Sequence, residues 1–166
     1  MSLRLILMRH AKSDWGDPLQ PDHARVLNGR GRKSARAMGE WLRARGEQPE
    51  LTLSSDARRT QETTQCVGFG GQITFTRELY HAGAEVMLRV LRGAGTAPCV
   101  LMVGHNPGIA DFADRLVQTI PPHPRFYDYP TCATLIADFD VSDWGDVGFG
   151  TGTSIEFAIP REIMAQ

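Results

Sequence analysis

The sequence predicts an α/β fold, a three-layer α/β/α sandwich built on a mostly parallel central sheet. Two runs, residues 3–8 and 99–103, show the nearly continuous hydrophobicity of strands that are covered on both faces. Segments with apolar residues at helical spacing separate these runs from further short strands, so strands and helices alternate along the chain. Such alternation is typical of a sheet with helices on both of its faces.

The size and composition are those of an ordinary globular domain. The chain has 166 residues, and we expect a single domain over residues 1–166. Hydrophobic residues make up 42% of it and charged residues 22%, which argues against wholesale disorder. The formal net charge is −1 and no basic, aromatic-rich stripe is present, so we expect no nucleic-acid partner.

The cysteines and the apolar runs indicate the compartment. Cys66, Cys99 and Cys132 are widely spaced and form neither a CxxC motif nor a metal-ligand pattern, so we expect a cytoplasmic protein with reduced thiols. No apolar run is long enough to cross a bilayer, and we expect no membrane association. The first run contains Arg4, which fits a core strand better than a signal peptide.

The elements can be justified in order from periodicity and stop signals. Residues 11–27 lack periodicity, and connecting loops of such length are usually functional. A helix over residues 28–45 begins at an Asn-Gly pair and ends before Gly46. Serines and an aspartate follow a short strand and supply acceptors that would cap the next helix. The later predicted elements are an edge strand at 73–76, a helix at 84–92, a strand at 99–103, a helix from Pro107 to about 117 with Asn106 as its N-cap, and strands at 133–139 and 154–159.

Two of the predicted parallel strands end in a histidine, His10 and His105. Ligands of such sheets bind outside the carboxyl ends of the strands, where Arg9 and Arg59 are also expected. Guanidinium groups cannot ligate a metal ion but match phosphate oxygens, and a neutral imidazole is a nucleophile near neutral pH. We therefore predict a site without metal or cofactor, in which the arginines neutralise a phosphoryl group and His10 attacks phosphorus.

Three motifs at strand ends resemble those of the histidine phosphatase superfamily, the phosphoglycerate-mutase-like enzymes. The motifs are Arg9-His10-Ala11-Lys12, Ser55-Asp56-x-x-Arg59-x-x-x-Thr63 and Gly104-His105-Asn106-Pro107. The chain is most similar to the small SixA-type phosphohistidine phosphatases, which lack the large insertions that cap the site in their relatives. The resemblance covers roughly residues 3–160 and implies the same uncapped α/β/α fold.

The resemblance implies roles for the matched residues. It makes His10 the nucleophile that is transiently phosphorylated. Arg9 and Arg59 would hold the phosphoryl group, and His105 would donate to it as charge builds up. Arg25 resembles an additional arginine near the pocket of the SixA-type branch, which implies a further substrate contact.

The proton donor to the leaving group stays open among three residues. Many relatives have a glutamate in the loop after the third strand, and its position is occupied here by His81. The SixA-type branch lacks that glutamate, and an aspartate of the first loop is the substitute; Asp22 aligns best and Asp14 next. A phosphoramidate expels imidazole, which leaves more easily than an alkoxide. The weak acid therefore favours phosphohistidine as substrate over phosphate monoesters.

The predicted function is that of a metal-independent phosphatase that dephosphorylates phosphohistidine on a protein, such as a phosphorelay domain. One alternative is a phosphatase of small-molecule or phosphoserine/threonine monoesters on the same scaffold. The other is a phosphate- or phosphoprotein-binding domain with vestigial catalysis, suggested by the missing glutamate and by Ala11, where the family usually has glycine. The sequence leaves open the oligomeric state and the role of the proline-rich residues 121–130.

Overall fold

A computed structural model describes residues 2–165, a part of the chain with six strands and five α-helices. The strands are β1 (Leu3–Arg9), β2 (Leu51–Ser55), β3 (Gln72–Thr76), β4 (Cys99–Gly104), β5 (Thr134–Phe139) and β6 (Thr153–Ala158). The helices are α1 (Gly29–Ala44), α2 (Arg58–Val67), α3 (Ala84–Arg92), α4 (Gly108–Leu116) and α5 (Pro160–Met164). Only α5 is new relative to the predicted elements, because its five residues show no periodicity that the sequence could reveal.

The strands form one sheet in the order β3-β2-β4-β1-β5-β6. The contacts of β1 with β4, of β4 with β2 and of β2 with β3 are parallel, while β5 runs antiparallel to both of its neighbours. The predicted mostly parallel sheet is confirmed. At its centre Arg9 of β1 pairs with Gly104 of β4, so His10 and His105 leave the sheet side by side.

Apolar side chains cover both faces of the sheet, as the α/β/α prediction requires. Leu5 and Leu7 of β1 pack into a core with α3 and α4, while Ile6 and Met8 pack on the other side with α1 and α2. All four are fully buried. The period of two along a strand explains this division, since successive side chains point to opposite faces. Along residues 2–165, no helix is both long and apolar enough to cross a membrane.

Close backbone contacts hold α1 in place. Asn28 caps the helix by accepting a hydrogen bond from the backbone N–H of Gly31 at 2.8 Å. A Cβ at Gly31 would lie 2.0 Å from the carbonyl oxygen of Lys12, so only glycine lets α1 approach the loop after β1 so closely. The start of α1 is therefore fixed against the segment that follows His10.

Two predicted caps are wrong. Asn106 does not cap α4, which begins at Gly108; its amide instead donates to the carbonyl oxygens of Asp128 (2.8 Å) and Tyr129 (3.1 Å). Those acceptors come from a distant loop that sequence spacing does not reveal. The N-cap residue of α2 is Ala57, which makes no side-chain capping bond, rather than one of residues 54–56.

Candidate active site

A cavity of about 390 Å³ lies at the carboxyl ends of β1 and β4. Its walls come from the segment after β1, the start of α2, the loop before α3 and the loop after β4. The lining residues are Arg9, His10, Lys12, Ser13, Trp15, Asp22, Arg59, His81, His105, Asn106 and Thr131. The predicted phosphoryl ligands are thus brought together from across the sequence.

The hydrogen bond of His10 determines its tautomer. Nδ1 of His10 lies 2.7 Å from the carbonyl oxygen of Ala11. A carbonyl oxygen can only accept, so Nδ1 carries the proton of the neutral ring and Nε2 keeps its lone pair. The backbone of His10 is also fixed, because its N–H donates to Gly104 at 3.0 Å and its carbonyl accepts from Cys132 at 2.9 Å. The imidazole is oriented as a nucleophile.

His10 is also kept in its free-base form. The residue is 6% exposed, and this burial is the main cause that lowers its pKa to about 3. The positive charges of Arg9 and Arg59 act in the same direction. At neutral pH the ring therefore has a lone pair available for attack.

The two arginines present buried donors to the cavity. Arg59 is 2% exposed, and its guanidinium donates to the backbone carbonyl of Asp22 at 2.8 Å and to the Asp22 carboxylate at 3.0 Å. Arg9 donates to the carbonyl oxygen of Tyr129 at 3.2 Å. The Nε atoms of both arginines are buried without an acceptor on residues 2–165. Unpaired donors of this kind are costly, and an anion with several oxygens would satisfy them.

His105 is oriented by a serine. Its Nε2 lies 2.8 Å from the hydroxyl of Ser55, which already accepts from the backbone N–H of Ala57 at 3.2 Å. The hydroxyl hydrogen is therefore free for Nε2, which assigns the proton of the neutral ring to Nδ1. That buried Nδ1 has no acceptor within the described chain. Burial chiefly, together with His10 and Arg59, lowers the pKa of His105 to about 2.

Asp22 lies at the opposite wall and accepts several hydrogen bonds. One carboxylate oxygen accepts from the Tyr80 hydroxyl at 2.6 Å and lies 2.9 Å from Nε2 of His81, in addition to the contact from Arg59. Partial burial alone would raise the pKa of Asp22, but the bonds from Tyr80, His81 and Arg59 outweigh it and hold the pKa well below its usual range. Asp22 is ionised at neutral pH.

The backbone of His81 adopts an unusual conformation. Its φ angle is +52°, in the left-handed region that costs free energy for residues other than glycine. Its ring centroid lies 5.0 Å from that of His105, and its side chain is about half exposed. The strained residue thus brings an imidazole to the mouth of the cavity, beside the ionised Asp22.

The family follows from comparison with known proteins. The model of the histidine phosphatase superfamily, branch 1, matches residues 5–82. A Nakamurella multipartitia protein provisionally named phosphohistidine phosphatase SixA shares the fold with a TM-score of 0.83; the two are 26% identical, with 96% of this chain and 97% of that one covered. This chain belongs to the histidine phosphatase superfamily.

Further relatives agree with this membership. The protein histidine phosphatase SixA, solved with tungstate, matches with a TM-score of 0.80 at 21% identity, over 97% of this chain and 99% of that one, and so shows the same fold. An uncharacterised protein of Mycobacterium tuberculosis is 28% identical over 160 residues, which is 93% of this chain and all of the relative. The predicted resemblance to the superfamily and to its SixA-like members is confirmed.

Two of the predicted site residues do not line the cavity of this histidine phosphatase. Arg25 is 6% exposed; its guanidinium lies 4.1 Å from the centre of the Trp15 ring and donates to the backbone carbonyl of Asp17 at 3.0 Å. Asp14 accepts from the backbone N–H of Gly16 at 2.8 Å and closes a turn. The substrate contact of Arg25 stays a prediction, and the structure places both residues in the folding of the 11–27 loop.

Sequence reasoning missed three supporting residues. Tyr80 holds Asp22, and Ser55 holds His105. The hydroxyl of Thr63 accepts from the N–H of Ala11 at 2.9 Å and donates to the carbonyl of Arg59 at 2.7 Å, which ties the nucleophile segment to α2. Ser55 and Thr63 do occur in the family motif, so their positions carried a signal, whereas nothing near Tyr80 indicated Asp22 as its partner.

The donor set does not favour a metal ion. Among residues 2–165, no group of three or more His, Cys, Asp or Glu side chains is arranged to hold one. The cavity instead combines two guanidinium groups with two buried neutral imidazoles. Such a set can bind a phosphoryl group and offer it a nitrogen nucleophile.

Proposed function

We propose that this enzyme hydrolyses phosphohistidine on a protein through a phosphohistidine intermediate at His10. One observation carries the proposal: the bond from Nδ1 to the Ala11 carbonyl leaves Nε2 of His10 as a lone-pair nitrogen, in a cavity that also contains the buried guanidinium groups of Arg9 and Arg59. A phosphoryl group bound by the arginines would have its phosphorus available to that nitrogen.

In the first step, Nε2 of His10 attacks phosphorus, and the bond from phosphorus to the substrate's imidazole breaks. Arg9 and Arg59 stabilise the charge on the transferring oxygens, and Nδ1–H of His105 donates to one of them. The substrate imidazole leaves with the bonding electron pair and takes up a proton. His10 becomes a phosphohistidine and keeps the hydrogen bond from Nδ1 to Ala11.

In the second step, water attacks the phosphorus of the intermediate and the bond to Nε2 of His10 breaks. Inorganic phosphate is released, and the imidazole returns to its free-base form. Ionised Asp22 is a suitable acceptor for the proton of the attacking water, because its low pKa leaves the carboxylate unprotonated. Asp22 would therefore act catalytically in this half of the reaction.

The proton donor of the first step is assigned to His81. Asp22 has no proton to give at neutral pH, and Asp14 does not line the cavity. His81 lines the cavity and contacts the Asp22 carboxylate through Nε2 at 2.9 Å. A carboxylate in this position stabilises the imidazolium form, as it does in other His–Asp pairs.

The shape of the entrance supports a macromolecular substrate. Trp15 lines the cavity, yet 61% of its surface is exposed, and the nearby Leu19 is 90% exposed. An open rim with exposed apolar side chains can accept a side chain that projects from a protein surface. The monoester alternative is favoured by one observation, the Asp22–His81 pair, which could also assist an alkoxide leaving group.

Trapping of the intermediate tests the proposal. With a ³²P-labelled phosphohistidine peptide, acid-sensitive, alkali-stable label should appear on the wild type and be lost in His10→Ala. His123→Ala is a matched control, since His123 pairs with Glu162 away from the cavity and should leave labelling unchanged. No label on the wild type with any phosphodonor would contradict the proposal and favour a binding domain. Comparison of kcat/KM for phosphohistidine, phosphoserine and sugar-phosphate substrates decides between the two phosphatase alternatives.

A further inference from the structure

A second depression, which we term the basic groove, adjoins the candidate active site. It has a volume of about 460 Å³, and its cationic side chains are Lys12, Arg30, Arg125 and Arg161. Lys12 and Thr131 line both the cavity and the basic groove, so the two are continuous. The proposed reaction at His10 does not use the basic groove.

The charge of the basic groove is not neutralised locally. No aspartate or glutamate lines it, although the whole chain has a formal net charge of −1. Arg125 pairs with Asp128 at 2.8 Å. Lys12, Arg30 and Arg161 have no acidic partner within 4.0 Å among residues 2–165. Cations are therefore concentrated beside the active site on a protein that is otherwise close to neutral.

The position of Arg30 is not explained by the stability of its helix. Arg30 lies in the first turn of α1, a turn without an acidic residue. The helix dipole disfavours a cation there. Gly31 presses this turn against the backbone of Lys12, so the cation is held at a fixed place relative to the segment after His10. A charge that opposes local stability is better explained by a ligand.

The floor of the basic groove is apolar, which distinguishes between kinds of anion. Pro130, Ile159, Pro160 and Met164 lie between the cations, and the cations come from different parts of the chain: the loop after β1, α1, the loop before β5, and α5. A free phosphate would contact one or two cations and leave the apolar floor unused. An extended peptide segment can place acidic side chains against the cations and its apolar atoms on the floor.

We propose that the basic groove binds an acidic segment of the phosphoprotein substrate while its phosphohistidine occupies the cavity. The proposal rests on the proposed function of the cavity and adds a substrate class, phosphoproteins with aspartate or glutamate beside the phosphorylated histidine. Electrostatic steering by the cations would speed the encounter as well as hold the substrate.

The test compares two phosphohistidine peptides of equal length, one flanked by acidic residues and one by serine and glycine. The wild type should prefer the acidic peptide, through a lower KM at similar kcat. In Arg30→Glu/Arg161→Glu, kcat/KM for the acidic peptide should fall about tenfold or more, since two attractive contacts become repulsive. Turnover of the neutral peptide and of phosphoramidate should stay within about twofold, because no residue of the cavity has changed.

A matched control carries the same change in charge elsewhere. Arg36→Glu/Arg89→Glu reverses two exposed arginines that line neither the cavity nor the basic groove, and it should keep the preference for the acidic peptide. Rising salt should abolish the wild-type preference and leave phosphoramidate turnover unaffected.

Several outcomes would overturn the proposal. They are an absent preference in the wild type, an equal loss with all substrates in the groove variant, and protection of the groove by inorganic phosphate or by single-stranded RNA as strong as that by the acidic peptide. In each case phosphoramidate turnover and labelling of His10 show whether the active site works, so a failure of the groove is distinguishable from a failure of the proposed function.

Discussion

The two walls of the active-site cavity are built in different ways. The phosphoryl-binding wall consists of Arg9, His10 and His105 at adjacent strand ends, and its histidines are buried and neutral. The opposite wall consists of Asp22 and His81, which come from loops and are about one-third to one-half exposed at their side chains. The binding of the phosphoryl group is thus fixed by the sheet, whereas proton transfer depends on loops held to one another by side chains.

This difference teaches which part of the reaction the fold determines. Strand register places the nucleophile and its ligands to within hydrogen-bonding tolerance, and neighbouring strands cannot shift independently. The loop wall has no such constraint and depends on one carboxylate that accepts from three partners. Arg59 contacts Asp22 and lines the same cavity as His10, so it joins the two walls.

The largest expected effect comes from removing that link. Arg59→Ala deletes a buried phosphoryl ligand and the partner of Asp22, so kcat/KM should fall about a thousandfold, equivalent to about 4 kcal/mol. Arg58→Ala, at an exposed neighbour outside the cavity, is the control and should leave turnover unchanged. A loss of less than about tenfold in Arg59→Ala, measured by steady-state kinetics on folded protein, would separate Arg59 from phosphoryl binding.

A smaller effect, selective for the leaving group, is expected from the loop wall. Asp22→Asn should slow hydrolysis of an alkyl phosphate about a hundredfold, because both the donor His81 and the water depend on the carboxylate. Single-turnover phosphorylation by phosphoramidate should change less than about threefold, since its nitrogen leaving group needs little assistance. If both substrates lost the same factor, Asp22 would serve the binding of the phosphoryl group instead of proton transfer.

The buried wall should also be visible in the pH dependence of stability. The folded-state pKa values of His10 (about 3) and His105 (about 2) lie below the unfolded value of about 6.5, so the unfolded chain binds more protons as the pH falls below 6.5. Their contribution is present above that pH and is lost progressively below it. Between pH 7 and pH 5 each histidine should cost about 2 kcal/mol of unfolding free energy.

Urea denaturation at the two pH values measures this loss. His10→Asn and His105→Asn should each reduce the pH-dependent fall, while His123→Asn, on the surface, should leave it as in the wild type. An unchanged slope in both buried variants would mean that the histidines are protonated in the folded protein.

The smallest expected effect concerns a single hydrogen bond. Tyr80→Phe removes the donor at 2.6 Å from Asp22 and should cost about 1 kcal/mol of stability. The pKa of Asp22 should rise toward its ordinary value, because a bond that favours the carboxylate is lost. Titration of the Asp22 carboxyl by carbon-13 NMR checks the direction, and an unchanged pKa would show that Arg59 and His81 suffice.

The sequence predicted the phosphoryl-binding wall better than the loop wall, for a physical reason. Apolar runs mark buried strands, and a polar residue directly after such a run has only one place to go, so His10, His105 and Arg9 could be located from the sequence. Asp22 and Tyr80 meet across 58 positions of the chain, and the conformation of two loops decides their contact. No periodicity encodes that conformation.

Arg25 and Asn106 illustrate the same limit. Both were placed by motif position, but their hydrogen bonds are set by loops that fold against them: the ring of Trp15 and the carbonyl of Asp17 for Arg25, and the carbonyls of residues 128–129 for Asn106. Local propensity cannot foresee an acceptor supplied by another segment.

Tyr129 has a consequence for the dynamics of the active site. Its ring is fully buried, and its hydroxyl donates to the carbonyl of Leu7 in β1 and accepts from the N–H of Leu135 in β5, while its own carbonyl receives Arg9 and Asn106. A substrate-facing guanidinium is thereby anchored to a residue of the hydrophobic core. The amide protons around Arg9 should exchange with solvent as slowly as those of the central strands, so the phosphoryl-binding wall opens with the whole domain and not before it.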